Sequence, residues 1–136
     1  MEKLKDLHES AKNALKQLKA CMDIINKEKY LDIHEQLRSA TIHSFEYNFE
    51  CLWKLLKMYI EEVHRVPVKP ATPNKTFRVS NDLEIVSNKE LEILFDSTED
   101  RNLTTHTYIE EVAKKINKRI PEYYETMKAI VSRLEV

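Results

Sequence analysis

The spacing of apolar residues constrains the fold of this chain more than any other feature of its sequence. Over Lys3–Tyr30 the apolar positions recur at alternating intervals of three and four, which is the period of a helix with one buried face. Lysines occupy the other faces of this segment. We therefore predict a first long bundle helix whose buried stripe is formed by Leu4, Leu7, Ala11, Ala14, Leu18, Cys21 and Ile25.

The second segment, Ile33–His64, carries two competing patterns. From Phe45 to Trp53 apolar and polar residues alternate, as in a half-buried strand. Helical spacing nevertheless runs across the whole segment, and no turn residue bounds the alternating piece. We predict a helix in which Trp53 serves ordinary packing, with an interface role left open, and whose apolar face comprises Ile42, Phe45, Phe49, Leu52, Leu56, Tyr59 and Val63.

A proline-rich stretch, residues 65–79, is predicted to be an extended surface loop within one domain. Prolines remove amide donors and bias the residues before them away from helix. A short helical piece is expected near Asn81–Val86. Ser87 and Glu90 then form a capping box, in which each side chain satisfies the other residue's backbone amide at the start of a third helix. That helix runs through Leu91, Leu94, Phe95 and Thr98.

The last helix is predicted over Tyr108–Leu134, with Pro121 kinking or briefly interrupting it. Its apolar positions are Val112, Ile116, Ile120, Tyr124, Met127 and Val131. The elements together predict an all-α protein: an antiparallel, up-and-down four-helix bundle with a short extra helix and a proline-kinked last helix, forming a single domain over residues 1–136.

Composition excludes several classes of function. The formal net charge is −1, so no overall basic field indicates nucleic-acid binding, although a local patch remains open. The chain contains no glycine, which excludes the glycine-rich phosphate loops of common nucleotide-binding folds. Cys21 and Cys51 are in no metal-ligand spacing and are expected to be reduced. No apolar run approaches the length of a membrane span, so we expect a soluble, cytoplasmic protein.

The stretch EDRNLTTHTY, residues 99–108, is the candidate site. Thr107 and Glu110 suggest a second capping box, which places His106 just outside a helix start. There it can fold back toward Arg101, beside the positive end of a helix dipole that disfavours the imidazolium form. A neutral histidine can act as a general base, and an arginine fork suits a phosphate. Tyr108 is expected at the first helical position of the same corner.

Simpler interpretations of this corner remain open. Arg101 can instead pair with Glu99, Asp100 or Asp96, and His106 can be an ordinary turn residue. The same arginine–histidine spacing occurs at Arg38 and His43, where the two positions lie about 140° apart on a helix and the pairing is interpreted as incidental. The acidic run before the motif is typical of a solvated face; it comprises Glu90, Glu92, Asp96, Glu99 and Asp100.

Together with FEYNFECLWKLLKMY in the second helix and RIPEYY in the last, EDRNLTTHTY resembles the HEPN superfamily over nearly the whole chain. Within it the chain is similar to nucleotidyltransferase substrate-binding proteins, understood as toxins of HEPN and minimal-nucleotidyltransferase toxin–antitoxin pairs. The family's Arg-x4-His-x-Tyr motif is matched by Arg101, His106 and Tyr108, with the polar Asn102 after the arginine.

The resemblance implies a metal-independent endoribonuclease without a cofactor, whose site forms across a homodimer. In that scheme His106 activates the ribose 2′-hydroxyl, Arg101 stabilises the developing charge, and Asn102 orients the pair. A cognate nucleotidyltransferase would transfer AMP to Tyr108 and block RNA. The sequence offers no metal-ligand cluster, since Glu61 and His64 form an isolated Glu-x-x-His without the partners that a di-iron bundle needs.

Two other functions remain open beside the ribonuclease. One is a non-catalytic subunit that holds a nucleotide or substrate for a separate nucleotidyltransferase, and the other is a plain dimerising scaffold. Intrinsic RNA cleavage that depends on His106 distinguishes the enzyme from both.

Overall fold

The computed structural model describes residues 2–25, 27 and 33–136, in which all regular secondary structure is helical and there is no strand. The helices are α1 (Glu2–Ile25), α2 (His34–Val63), α3 (Pro73–Asp82), α4 (Asn88–Leu103) and α5 (Glu110–Arg133). The predicted all-α bundle with one short extra helix is therefore confirmed. The predicted end of the first helix at Tyr30 lies outside the described residues.

Helix α2 resolves the ambiguity of its alternating segment. The residues from Phe45 to Trp53 are helical, because their apolar side chains also fall on one face at spacings of three and four. Phe45 stacks on Tyr123 of α5 with ring centroids 5.4 Å apart, and Phe49 meets Phe77 of α3 edge-on at 5.9 Å. The aromatic face of α2 thus joins α3 and α5 into one core.

Side-chain hydrogen bonds fix the direction of α2 against α1. Asn48 Nδ2 donates to the carbonyl oxygen of Ala14 over 3.0 Å, in the middle of both helices. At the connected ends, His34 Nε2 lies 3.1 Å from the carbonyl oxygen of Ile25. Later positions of α2 therefore meet earlier positions of α1, and the two helices are antiparallel.

Contacts of α5 fix the other two directions. Asp100 near the end of α4 meets Arg119, and Glu90 near its start meets Arg133, so α4 and α5 are antiparallel. Asn117 Nδ2 donates to the carbonyl oxygen of Arg38 at the start of α2. Together with the Phe45–Tyr123 stack further along both helices, this makes α5 run in the direction of α2. The four long helices therefore run up, down, up and down.

The connection between α2 and α4 differs from the prediction. Residues 73–79 were predicted as loop, and a short helix was predicted near Asn81–Val86; the helix instead runs from Pro73 to Asp82. Thr72 is its N-cap and accepts a hydrogen bond from the Lys75 amide, while Pro73 occupies the first turn. A proline is favoured there because its missing N–H has no partner within the helix anyway. Counting Pro73 as a loop residue caused the error.

The turn that follows α3 shows how a chain without glycine ends a helix. Glu84 has a φ of 61°, the left-handed conformation that usually selects glycine. The amide of Glu84 donates to the carbonyl of Asn81 and the amide of Ile85 donates to that of Ser80. These two bonds form the Schellman pattern, which satisfies the last carbonyls of α3 despite the unfavourable residue type.

Helix α5 passes through Pro121 without interruption, although an interruption was one of the two predicted outcomes. The predicted Ser87–Glu90 capping box is present at the start of α4, with both reciprocal hydrogen bonds formed. Cys21 and Cys51 are both free. No helix of the described residues is long and apolar enough to cross a membrane.

Candidate functional site

The candidate site lies where α4 passes into α5. Helix α4 ends at Leu103 and continues as one 3₁₀ turn, Thr104–His106, before α5 begins at Glu110. Three threonines close this turn: each hydroxyl donates to the carbonyl three residues earlier, from Thr104 to Arg101, from Thr105 to Asn102 and from Thr107 to Thr104. The threonines thereby satisfy carbonyls that the end of a helix leaves free.

The predicted helix start at this corner is wrong. Thr107 does not cap α5, because its hydroxyl donates backward into the 3₁₀ turn, and the N-cap position belongs to Ile109 without a side-chain hydrogen bond. Tyr108 precedes α5 and is not its first residue. His106 accordingly lies at the end of the 3₁₀ turn, so the argument from the positive end of the α5 dipole does not apply to it.

Arg101 turns toward α2 and not toward His106. Its two terminal nitrogens lie 3.7 Å from a Glu46 oxygen and 3.8 Å from a Glu50 oxygen. The predicted alternatives from its own helix, Glu99, Asp100 and Asp96, are not its partners. Within the described residues no hydrogen bond or ion pair joins Arg101 to His106, so a single chain does not assemble the predicted pair.

The geometry leaves Arg101 with unused donors. Distances of 3.7 and 3.8 Å exceed the 2.7–3.2 Å range of a hydrogen bond, so the two carboxylates attract the guanidinium without occupying it. Its Nε is buried and, within the described chain, has no hydrogen-bond partner. The side chain is 30 % exposed and, with Asn102, lines a cleft of about 430 Å³ between α2, α3 and α4. A ligand with several acceptor oxygens matches the donors of the two terminal nitrogens.

His106 and Tyr108 are exposed and do not line the cleft that Arg101 lines. Their rings contact each other edge to face, with centroids 6.1 Å apart. Tyr108 is 80 % exposed, which is high for a tyrosine and leaves its hydroxyl open to a reagent or a partner protein. The exposed apolar side chains of Leu103 and Ile109 flank the same corner.

A smaller cleft of about 130 Å³ lies beside Tyr108 and is lined by both α2 and the start of α5. Arg38 of α2 lines this cleft and lies 3.6 Å from a carboxylate oxygen of Glu110. The sequence analysis interpreted the pairing of Arg38 with His43 as incidental and gave Arg38 no role. The dismissal of that pairing holds, since His43 contacts Glu46 instead, but Arg38 itself reaches the tyrosine side of the candidate site.

Asp100 is the residue that sequence reasoning misjudged most. It was assigned to a solvated acidic face, yet it is only 1 % exposed. Its carboxylate accepts hydrogen bonds from Arg119 Nη1 at 2.6 Å and from the Tyr123 hydroxyl at 2.5 Å. The usable signal was spacing: the buried residues of α4 are Leu94, Ser97 and Asp100, one stripe at intervals of three.

The Asp100 contacts perturb the groups around it. Burial, reinforced by the hydrogen bond to the Asp100 carboxylate, raises the pKa of Tyr123 far above its ordinary value. The same carboxylate raises the pKa of Arg119. The tyrosine therefore stays protonated as a donor, and the three side chains fasten the last turn of α4, directly before Arg101, to the middle of α5.

No described group of three or more His, Cys, Asp or Glu side chains could hold a metal ion. Glu61 accepts a hydrogen bond from Lys57 one turn earlier, and that bond lowers the pKa of its carboxyl group. The His64 ring packs against Tyr59. The isolated Glu-x-x-His is thus occupied by local contacts.

These features define the protein as a helical bundle in which a polar turn, closed by three threonines, precedes the last helix. Residues 6–136 match the family described as nucleotidyltransferase substrate binding protein like, and the chain belongs to that family. Its fold is similar to the crystal structure of a protein from Thermus thermophilus, with a TM-score of 0.80 and 30 % identity. That similarity covers 93 % of this chain and 99 % of the other. No curated protein matches this sequence significantly.

Proposed function

We propose that this protein is a metal-independent endoribonuclease of the HEPN type, the toxin of a pair whose other member is a minimal nucleotidyltransferase. The proposal rests on three side chains that lie close together in sequence at one turn. Within eight residues that turn presents an arginine with free donors, an exposed histidine and an exposed tyrosine, at Arg101, His106 and Tyr108. These are the groups that RNA cleavage by internal transesterification and its regulation require.

In the proposed reaction His106 takes the proton of a ribose 2′-hydroxyl. The oxygen attacks the adjacent phosphorus and the bond to the 5′-oxygen breaks, giving a cyclic phosphate. The leaving 5′-oxygen takes a proton from solvent to become a hydroxyl, and His106 returns the proton it accepted to solvent. Arg101 stabilises the additional negative charge on the phosphorus oxygens in the transition state. Asn102 lines the same cleft as Arg101 and orients the phosphate beside it.

A homodimer supplies what one chain lacks. Because Arg101 turns toward α2 and makes no contact with His106, we infer that a second copy brings its own turn against the first, so that groups of both copies face one scissile bond. Exposed apolar side chains favour such a contact. Leu103 and Ile109 flank the turn and are 42 % and 44 % exposed, and Tyr47 on α2 is 56 % exposed.

Tyr108 is the proposed point of control. Its hydroxyl would attack the α-phosphorus of ATP in the partner's active site, with pyrophosphate leaving and the phenolic proton lost to solvent. The AMP group adds a negative charge and a large substituent next to His106. RNA would be excluded by bulk and by repulsion between phosphates.

The test is RNA cleavage by the purified, unmodified protein in excess chelator. We expect His106→Ala and Arg101→Ala each to lose about 100-fold or more of the rate. His64→Ala, an exposed histidine at the far end of α2, and Arg78→Ala on α3 are matched controls that should retain it. Equal cleavage by all four variants would assign the activity to a contaminant and reject the proposal.

The second candidate is a subunit that binds substrate for a nucleotidyltransferase and performs no chemistry itself. The description of the family names this role, and the carboxylates of Glu46 and Glu50 beside Arg101 disfavour an RNA backbone. A folded, dimeric protein that is unmodified at Tyr108 and cleaves no RNA would favour it. Transfer of AMP to Tyr108 by the partner enzyme, measured as a mass increase that Tyr108→Phe abolishes, tests the control step in either case.

A further inference from the structure

Helices α1 and α5 pack against each other and leave a groove along their seam. His8 Nε2 of α1 lies 3.0 Å from the carbonyl oxygen of Val131 on α5, which joins the two helices at one end of the groove. The groove has a volume of about 380 Å³ and is open to solvent. Leu15, Tyr124 and Val131, all of them buried, form its floor. The seam therefore presents an apolar surface between two antiparallel helices.

The walls of this groove are lysines. Lys12, Lys16 and Lys19 follow one another along α1 at intervals of four and three, so they occupy one face of that helix. Lys128 of α5 forms the opposite wall. All four are exposed, and no carboxylate is among the described lining residues of the groove. Because a lysine stem is apolar and its head is charged, these walls extend the apolar floor and place positive charge along both rims.

Two of the four lysines are available to a ligand without the loss of an ion pair. Lys16 and Lys128 form no ion pair with any residue that the structure describes. Lys128 Nζ lies 5.9 Å from the centroid of the Tyr124 ring, close to the limit of about 6 Å for a cation–π contact. Lys128 can therefore leave the ring for a carboxylate, and the face of Tyr124 then becomes part of the open floor.

The other two lysines have partners that they can exchange. Lys12 Nζ lies 2.7 Å from a carboxylate oxygen of Glu9, and Lys19 Nζ lies 2.8 Å from one of Asp23. Both are pairs within α1 between exposed side chains, and such pairs stabilise a folded chain very little. A carboxylate from a partner can therefore replace Glu9 or Asp23 at small cost.

We propose that this groove binds an amphipathic helix of a partner protein, with the apolar stripe of that helix on the floor and carboxylates on both of its flanks. Docking of a helix into an apolar groove is a common mode of protein recognition. Lys12 to Lys19 covers about two helical turns, so acidic residues one turn apart on the incoming helix can meet successive lysines. A small molecule fits less well, because small-molecule sites enclose most of their ligand and this groove is open.

The proposal does not depend on the ribonuclease proposal, since the groove contains none of the residues of the candidate turn. Its test is fluorescence anisotropy of the full chain with a labelled helical peptide of three heptads, with leucine at positions a and d and glutamate at e and g. One control peptide has lysine at e and g, and the other has serine at a and d. We expect the acidic peptide to bind at least about tenfold more tightly than either control at low salt, and less tightly as salt is added.

A charge-reversed variant of the protein locates the binding surface. Lys16→Glu/Lys128→Glu places a carboxylate on each wall of the groove, and we expect it to weaken binding of the acidic peptide about tenfold. Lys3→Glu/Lys115→Glu makes the same change in net charge at exposed positions of the same two helices outside the groove. This matched control is expected to change the affinity less than about twofold at moderate salt. Circular dichroism of both variants verifies folding.

Three results would overturn the proposal: no binding of the acidic peptide, equal binding of the lysine peptide, or an equal loss of affinity in the two double variants. Laurate, added below its micellar concentration, tests a different occupant. Displacement of the peptide by laurate with the higher affinity would assign the groove to a small anionic amphiphile. A labelled oligouridylate that binds more tightly than the peptide, and is lost in Lys16→Glu/Lys128→Glu, would assign the lysines to RNA. Either result would reject the helix as the occupant.

Discussion

Asp100 and Arg101 are neighbours at the end of α4, yet their side chains have opposite surroundings. Asp100 is almost fully buried and makes hydrogen bonds of 2.5 and 2.6 Å to α5. Arg101 is partly exposed and lies 3.7 and 3.8 Å from two carboxylates of α2. Successive helical positions point about 100° apart. The Asp100 side chain can therefore anchor α4 to α5 while the Arg101 side chain remains available to a ligand.

The two sets of contacts suit different roles: those of Asp100 suit a structural anchor, and those of Arg101 suit a residue that binds a ligand. A short, desolvated network holds a helix end in place, and its members cannot leave without a large cost. A loose, solvated pair contributes little to stability and can exchange its partner for a ligand. We therefore expect changes around Asp100 to alter the stability of the protein and changes at Arg101 to alter its function.

The largest effect is expected for Arg119→Met. It leaves the buried Asp100 carboxylate with the Tyr123 hydroxyl as its remaining hydrogen-bond donor. We expect the free energy of unfolding to fall by about 2–4 kcal/mol, below the top of the range for buried pairs because Arg119 is itself half exposed. Urea unfolding measures this, with Lys115→Met on the exposed face of α5 as the control. A change no larger than that of the control would show that Asp100 is not an anchor.

Arg101→Ala is the complementary variant. We expect its free energy of unfolding to change by less than about 1 kcal/mol, because its ion pairs are long and solvated. The proposed RNA cleavage, by contrast, should fall about 100-fold or more. Unfolding and cleavage are measured on the same preparation. A stability loss as large as that of Arg119→Met would assign Arg101 to the structural network.

Tyr123→Phe tests the buried network through its pH dependence. At neutral pH we expect a loss of about 1.5–3 kcal/mol, typical of a hydrogen bond to a charged group. The folded-state pKa of Tyr123 is raised above its unfolded value, so the stability that its protonated form contributes is present below about pH 10 and is lost as the pH rises further. Phenylalanine has no proton to lose.

The stability difference between wild type and Tyr123→Phe should therefore shrink above about pH 10. Urea unfolding of both proteins at neutral and alkaline pH measures it, and the titration of lysines common to both cancels in the difference. A gap that stays constant or widens with pH would contradict the assigned hydrogen bond.

The sequence predicts well those features that depend on a single helix or on a few neighbouring residues. Helices α1, α2 and α5 follow from apolar periodicity, which reports burial along one element. The capping box of Ser87 and Glu90 follows from a local rule that needs no tertiary contact. The candidate turn was also identified, because a cluster of threonines before a periodic segment indicates the end of a helix.

What could not be predicted depends on contacts between elements. Asp100 and Arg101 differ by one position in sequence, and only the packing of α5 determines which of them is buried. The partners of Arg101 lie on α2, far away along the chain. Thr107 satisfies both an N-cap rule and a backward hydrogen bond to Thr104, and residue type alone does not choose between them. Helix α3 was placed too late in the sequence, because a proline is favourable at a helix start and unfavourable further inside.

The smallest expected effect concerns the two carboxylates that face Arg101. In Glu46→Gln/Glu50→Gln the long ion pairs are lost, and we expect the free energy of unfolding to change by less than about 1 kcal/mol. The guanidinium then has no competing anion, so an RNA phosphate should bind about two- to fivefold more tightly at low salt, with the gain reduced at high salt.

Fluorescence anisotropy with a labelled RNA, in a His106→Ala background that prevents cleavage, measures this gain. Glu92→Gln/Glu99→Gln removes the same net charge from exposed positions of α4 and separates the local effect from the general one. An equal gain in that control would mean that the carboxylates act only through net charge. A loss of stability without a gain in affinity would mean that Glu46 and Glu50 anchor Arg101 as Arg119 and Tyr123 anchor Asp100, and the contrast between the two neighbours would disappear.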